Sequence, residues 1–192
     1  RGAMVICHPH PQHGGTMHTK AVFRAAQAVN EAGLHALRFN FRGVGMSTGS
    51  YGGGEGELDD VKAALDWVEA EHPDLPLGVG GFSFGSVVGL RVGYADPRVR
   101  VLFALGLPVL KWELEDLADA SARGDRPLLL VQGEEDEFGG GEAIAAFAST
   151  MGPGVELIRI PGADHYFHHR FDELKDALTG WFSEGAGGAV FG

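Results

Sequence analysis

Cysteine is almost absent from this 192-residue chain, Cys7 being the only one, so no internal disulfide can form and nothing requires an oxidising compartment. No apolar run approaches the ~18 residues needed to cross a bilayer. Basic residues are scarce: 15 Lys and Arg against 26 Asp and Glu leave a formal net charge of −11. With no basic cluster, this argues against nucleic acid or an anionic membrane as partner and favours neutral or cationic ligands. Phosphate-binding glycine motifs are also missing. Gly43-Val44-Gly45-Met46-Ser47-Thr48 lacks the third glycine of a dinucleotide fingerprint, and no Gly-Lys-Ser or Gly-Lys-Thr occurs. No cofactor is expected. The first residue is Arg1, not Met, and apolar sequence begins almost at once, so an upstream segment is expected. A cytoplasmic location is the expectation, with export left open by that start.

What is present describes one ordinary globular domain over residues 1–192, with 44% hydrophobic and 21% charged residues. Six short apolar runs alternate with amphipathic stretches: Ala3 to Cys7, His35 to Phe41, Leu77 to Phe82, Val99 to Leu105, Pro127 to Gln132 and Val155 to Ile160. Between them Leu58, Val61, Leu65 and Val68 step by three and four, as do Phe171, Leu174, Leu178 and Trp181, which sets each group on one helix face. Helices are predicted near 17–32, 57–71, 84–94, 141–151 and 169–183. The alternation predicts a mainly parallel α/β sheet of about six strands, covered by helices on both faces. The glycine-rich stretch Gly43 to Gly56 reads as a mobile loop.

Gly81-Phe82-Ser83-Phe84-Gly85 joins the third run to a helical stretch, the strand–turn–helix context that presents a nucleophilic serine. With 31 glycines in the chain, chance alone yields roughly 0.2 such pentapeptides, so the context has to carry the inference. It does so through two further residues. Asp136 follows the fifth run and His165 the sixth, and in sheets of this kind ligands sit beyond the carboxyl ends of the strands. The chain order Ser, Asp, His is the one found in this fold and not in chymotrypsin-like or subtilisin-like proteases. A serine hydroxyl needs a base to take its proton; histidine, with an ordinary pKa of ~6.5, suits the task, and a carboxylate holds the ring in one tautomer. Neighbouring Glu134, Glu135 and Glu137 read as a solvated rim, and His168 and His169 as solvent-facing residues at a helix start. The oxyanion formed in ester hydrolysis needs fixed donors. The N–H of Phe84 is one candidate, and the N–H of His10, in a loop where Pro9 and Pro11 cannot donate, is the other.

Three strings join Gly81 to Gly85 in a resemblance: Cys7-His8-Pro9-His10-Pro11-Gln12-His13-Gly14-Gly15-Thr16-Met17, Leu37 to Ser47 through Asn40-Phe41-Arg42-Gly43, and Asp164-His165-Tyr166-Phe167. Together they resemble the small, lidless bacterial α/β-hydrolases, generally regarded as esterases, over essentially the whole chain. The resemblance implies a serine carboxylesterase with Ser83, Asp136 and His165 as its triad. Two departures stand out. Asn40 occupies the acidic position of the Asp-x-Arg-Gly-x-Gly pattern, which should alter loop hydrogen bonding more than chemistry. The two strands that usually open the fold have no residues here, so the strand at His35 should form an uncovered sheet edge, a template for homodimerisation.

Only 20 residues, Leu107 to Arg126, stand where larger hydrolases insert a cap, with one short helix expected around Trp112 to Ala118. An open, shallow site follows, with Phe84, Phe138, Tyr166 and Phe167 as apolar walls and Phe82 in the core. Short-chain esters are the expected small-molecule substrates. Two competing readings are a catalytically silent scaffold used for binding, and a metalloprotein built on His8, His10, His13 and His18 beside Cys7, whose spacing lacks a recognised metal-ligand pattern.

Overall fold

The computed structural model describes all of residues 1–192. Six strands, β1 (Ala3–Cys7), β2 (His35–Arg38), β3 (Leu77–Phe82), β4 (Val99–Leu105), β5 (Leu128–Gly133) and β6 (Val155–Ile160), form one sheet. It is parallel throughout, in the order β2-β1-β3-β4-β5-β6. The helices are α1 (Lys20–Glu31), α2 (Glu55–Glu71), α3 (Phe84–Ala95), α4 (Ala120–Arg123), α5 (Gly141–Thr150), α6 (Phe171–Ser183) and α7 (Ala186–Ala189).

The four inner strands read as nearly unbroken apolar runs because both of their faces are covered. Alternate residues feed two separate cores. Val5, Cys7, Val79, Leu102, Ala104, Leu128 and Leu130 meet α2, α3 and α5 through Val61, Leu65, Val68, Val87, Leu90 and Ile144. Met4, Ile6, Val101, Phe103, Leu129 and Val131 meet α1 and α6 through Val22, Ala25, Val29, Leu174, Leu178 and Phe182. Each fully buried Leu, Val, Ile or Phe contributes ~1.5–3 kcal/mol relative to exposure.

The chain leaves β1 for β2 on one side and returns to β3 on the other. The crevice where strand order reverses therefore opens between the carboxyl ends of β1 and β3, the place where such sheets bind ligands. Strands β1, β3, β4 and β6 have the expected bounds, while β2 is shorter. The chain leaves the sheet after Arg38, where Asn40 and Phe41 are claimed by side-chain bonds: the N–H of Phe41 donates to His8 Nε2 at 3.0 Å, and Asn40 Oδ1 accepts from the N–H of Met17 at 2.8 Å. As expected, β2 is an edge strand.

The glycine-rich loop is tied down, contrary to the expectation of mobility. Glu57, wholly buried in the first turn of α2, accepts the N–H of Gly52 at 2.9 Å and of Gly54 at 2.8 Å. At the loop's start Arg42 makes a bidentate pair with Asp60. The connection between β4 and β5 holds only a single 3₁₀ turn (Glu115–Ala118) and α4, a little beyond the helix expected near Trp112, and no cap domain.

Glycine lets β3 run through the centre. A Cβ at Gly80 would overlap the Phe103 ring, and one at Gly78 would overlap Met4 and Val101. Gly80→Ala should lower stability by ~1–3 kcal/mol through overpacking, read as a lower urea midpoint with an unchanged slope.

Candidate active site

The turn from β3 into α3 is where the fold stores strain. Ser83 has φ 55° and ψ −120°, a region that residues with a Cβ rarely occupy. Its neighbours at two residues' distance are glycines for steric reasons. A Cβ at Gly81 would strike the Gly85 carbonyl and Cys7 Cβ, and one at Gly85 would strike the backbone of Cys7 and His8. Close approach of this turn to the end of β1 therefore demands glycine on both sides, and the outcome is a serine hydroxyl standing above the sheet at the N-terminus of α3.

Three loops bring their polar residues to that hydroxyl. His165 Nε2 lies 2.8 Å from Ser83 Oγ, and His165 Nδ1 lies 2.9 Å from Asp136 Oδ2. Because a carboxylate only accepts, the Nδ1–H donates to Asp136 and Nε2 is left to accept the serine proton. His165 is 1% exposed and its ring is boxed by Phe138 at 4.5 Å, Phe82 at 5.2 Å and Tyr166 at 5.2 Å between centroids. Asp136 turns inward, buried, while Glu134, Glu135 and Glu137 stay exposed. His168 is exposed and paired with Asp164 at 2.7 Å, and His169 is exposed.

Asp136 has two further partners. Its Oδ1 accepts the N–H of Phe138 at 2.7 Å, and Oδ2 also accepts from Gln132 Nε2 at 2.7 Å. Gln132 is fully buried at the end of β5, and its Oε1 accepts the N–H of Leu107 at 2.9 Å. The glutamine thereby fixes the carboxylate against the loop after β4. It went unassigned in the sequence, although a lone amide closing the run Leu128-Leu129-Leu130-Val131 is the signal that marks it: a buried polar group needs partners.

The N–H of Phe84 occupies the first position of α3, where the helix supplies no acceptor of its own, and the N–H of His10 makes no hydrogen bond within the protein. The side chains of His10, Ser83, Phe84, Phe138, His13, Pro108, Lys111 and Trp112 enclose a cleft of about 320 Å³. Larger hollows between α2 and α3 and beside α4 contain none of Ser83, Asp136 and His165.

Two of the expected pocket residues lie elsewhere. Phe167 is wholly buried in the core with Phe82, Ala163 and Leu174, because its left-handed backbone, φ 56°, turns the ring under the loop. Tyr166, 45% exposed, flanks His165 outside the cleft. The histidines after β1 do different jobs. His8 is buried, donating from Nδ1 to the Pro9 carbonyl at 2.7 Å and accepting the Phe41 N–H at Nε2, so both ring nitrogens are taken and neither faces a metal. His10 stacks on His13 with centroids 4.4 Å apart.

Residues 3–179 match the family described as the alpha/beta hydrolase domain. The chain belongs to that family. An uncharacterized protein of Rickettsia prowazekii is 30% identical to this alpha/beta hydrolase, over 91% of this chain and 76% of the relative. Among solved structures, an alpha-beta serine hydrolase homologue from Coxiella burnetii is 40% identical with a TM-score of 0.86, covering 93% of this chain and 83% of that one. A serine hydrolase without lid from Xanthomonas campestris is 36% identical with a TM-score of 0.84, covering 94% and 80% respectively.

The electrostatics of His8 give this hydrolase a pH signature. Burial pushes its pKa down to about 4, because the charged ring is poorly solvated there and Nε2 must stay free to accept. Below the ordinary histidine value the unfolded chain takes up a proton that the folded chain refuses. Stability is therefore full above ~6.5 and falls as pH drops toward about 4, by up to ~3 kcal/mol in total. Urea midpoints measured from about pH 7 to about pH 5 should decline in the native protein, and more shallowly in His8→Gln, which starts lower but has no ring to titrate at this site.

Proposed function

We propose that the protein is a serine hydrolase acting on small carboxylic esters through an acyl-enzyme, with Ser83 as nucleophile, His165 as base and Asp136 as its orienting acid. The observation that carries this reading is the unbroken hydrogen-bonded chain from Ser83 Oγ through both nitrogens of His165 to Asp136. Family membership and the serine hydrolase relatives support it.

The chemistry then runs in two halves. Ser83 Oγ attacks the ester carbonyl as its proton passes to His165 Nε2, and the imidazolium so formed is held by Asp136. Negative charge moves to the carbonyl oxygen, where the N–H groups of Phe84 and His10 serve as donors; each such donor is worth ~3–4 kcal/mol in rate. Collapse breaks the bond to the alcohol, which leaves with the proton from His165, and the acyl group remains on Ser83. Water then attacks the acyl-enzyme, giving its proton to His165, and the carboxylic acid departs as the serine proton returns.

Burial of His165 and Asp136 strengthens their interaction and keeps the ring from wandering, since water competes poorly for either group. Gln132 adds to this by occupying part of Oδ2, so that the carboxylate cannot rotate away from the imidazole. The absence of a cap leaves the cleft open on one side, and its modest volume favours short acyl chains.

Ser83→Ala should retain the fold and lose turnover of a para-nitrophenyl butyrate by roughly 10⁴-fold or more, and Asp136→Asn should lose about 10⁴-fold by leaving the ring in the wrong tautomer. A fluorophosphonate should label Ser83 in the native protein; a silent binding scaffold would remain unlabelled. Retention of most activity in Ser83→Ala would falsify the mechanism.

A second outcome concerns substrate size. The soluble butyrate ester should be turned over faster than emulsified long-chain triglyceride, without a jump in rate at the oil–water interface, because no lid exists to be opened there. Initial rates on the two substrates at matched enzyme concentration check this.

A further inference from the structure

The cleft above Ser83 has a charge character opposite to that of the protein around it. The chain carries a formal charge of −11, yet no acidic side chain is among those that enclose the cleft, whereas Lys111 is; His10, whose pKa burial holds below the ordinary histidine value, lines it as a neutral ring. The acids that adjoin the lining in sequence, Glu113 beside Trp112 and Glu137 beside Phe138, are exposed and lie outside it, and three other acids are committed elsewhere. Asp136 is bound to His165, Gln132 and the Phe138 N–H. Asp116, on the β4–β5 connection, is paired with Arg91 at 2.7 Å. Glu57, whose charge reaches His10, spends its oxygens on the N–H groups of Gly52 and Gly54.

Lys111 is held where it can act. Its own N–H closes a turn on the Pro108 carbonyl at 3.0 Å, and the preceding N–H, of Leu110, donates to the Phe138 carbonyl at 3.0 Å. The ammonium lies over the Phe138 ring, 5.1 Å from its centroid, and makes no ion pair with any carboxylate, unlike Lys62 and Lys175. The stacked rings of His10 and His13 also line the cleft, and Phe84, packed against both His10 and Trp112, adds apolar surface. A cation fixed on an aromatic face, above an apolar cleft with no acid in its lining, recognises an anion at the far end of a short apolar chain.

We propose that the preferred substrates are esters whose acyl part carries a free carboxylate, and that Lys111 is the residue that selects them. This rests on the hydrolase reading above and narrows it. The net charge of the whole chain pointed to neutral or cationic ligands, but charges beyond about 8 Å are largely screened at physiological salt, so the groups lining the cleft outweigh distant surface acids. Selection of this kind acts through both attraction to the anion and the absence of any carboxylate to repel it.

The test compares para-nitrophenyl hydrogen adipate, a monoanion, with its neutral methyl ester, reading nitrophenolate release from each. The native protein should show a kcat/KM for the monoanion about tenfold above that for the methyl ester at low salt, with the advantage shrinking as salt is added. Lys111→Glu should abolish or invert the ratio, while Lys111→Arg should keep it, a pattern that loss of local structure does not produce. A ratio of one or less in the native protein, or a ratio unmoved by Lys111→Glu, overturns the inference while leaving the hydrolase reading intact. Fluorophosphonate labelling of Ser83 without turnover of the monoanion overturns the substrate assignment as well. Absence of both labelling and turnover overturns the hydrolase reading beneath it.

Discussion

The site depends on how closely the end of β3 can approach the end of β1. Ser83 holds a backbone conformation that costs of order 1–3 kcal/mol, and it is kept there by the contact of Gly81 and Gly85 with the backbone of Cys7 and His8. That contact places the α3 N-terminus beside the loop His8 to Gly15, so the candidate nucleophile and the two candidate oxyanion donors are fixed by one piece of packing. The same approach explains why His8 is buried and neutral: the space it occupies is bounded by the turn on one side and by Phe41 on the other. A methyl group added at either glycine separates all these parts at once.

A second layer of order comes from buried polar groups that are fully partnered. Gln132 and His8 each use both ends of their side chains to join one strand-end loop to another, and Glu57 uses both carboxylate oxygens to fold the glycine-rich loop onto the start of α2. Such groups are costly to bury unless satisfied, so each one selects a single arrangement of loops. In this fold the sheet sets where the loops start, and these three residues set where they finish.

Much of this was legible in the sequence, for physical reasons. Parallel inner strands are apolar on both faces, so β1, β3 and β4 stood out with their bounds intact, and the placement of Ser83, Asp136 and His165 after their strands follows from the same runs. Periodicity cannot see side-chain bonds that end a strand early, so the apolar pattern runs three residues past the end of β2, through Phe41. It also cannot see a backbone of positive φ at a residue other than glycine, which is what sends Phe167 into the core. The glycine-rich loop reads as mobile because composition says nothing of the glutamate directly after it that pins it. Net charge is limited for a related reason: it is a sum over the surface, while a ligand meets only the few side chains that line its cleft.

Cys7 lies fully buried beneath the Ser83 turn, and burial pushes its thiol well above the ordinary range. Since the thiolate is the reactive form, the folded molecule withholds its sulfur from electrophiles. Alkylation of that sulfur requires the centre of the sheet to part, so the chain carries an internal clock for opening events, set at the one point where β1, β3 and α3 converge.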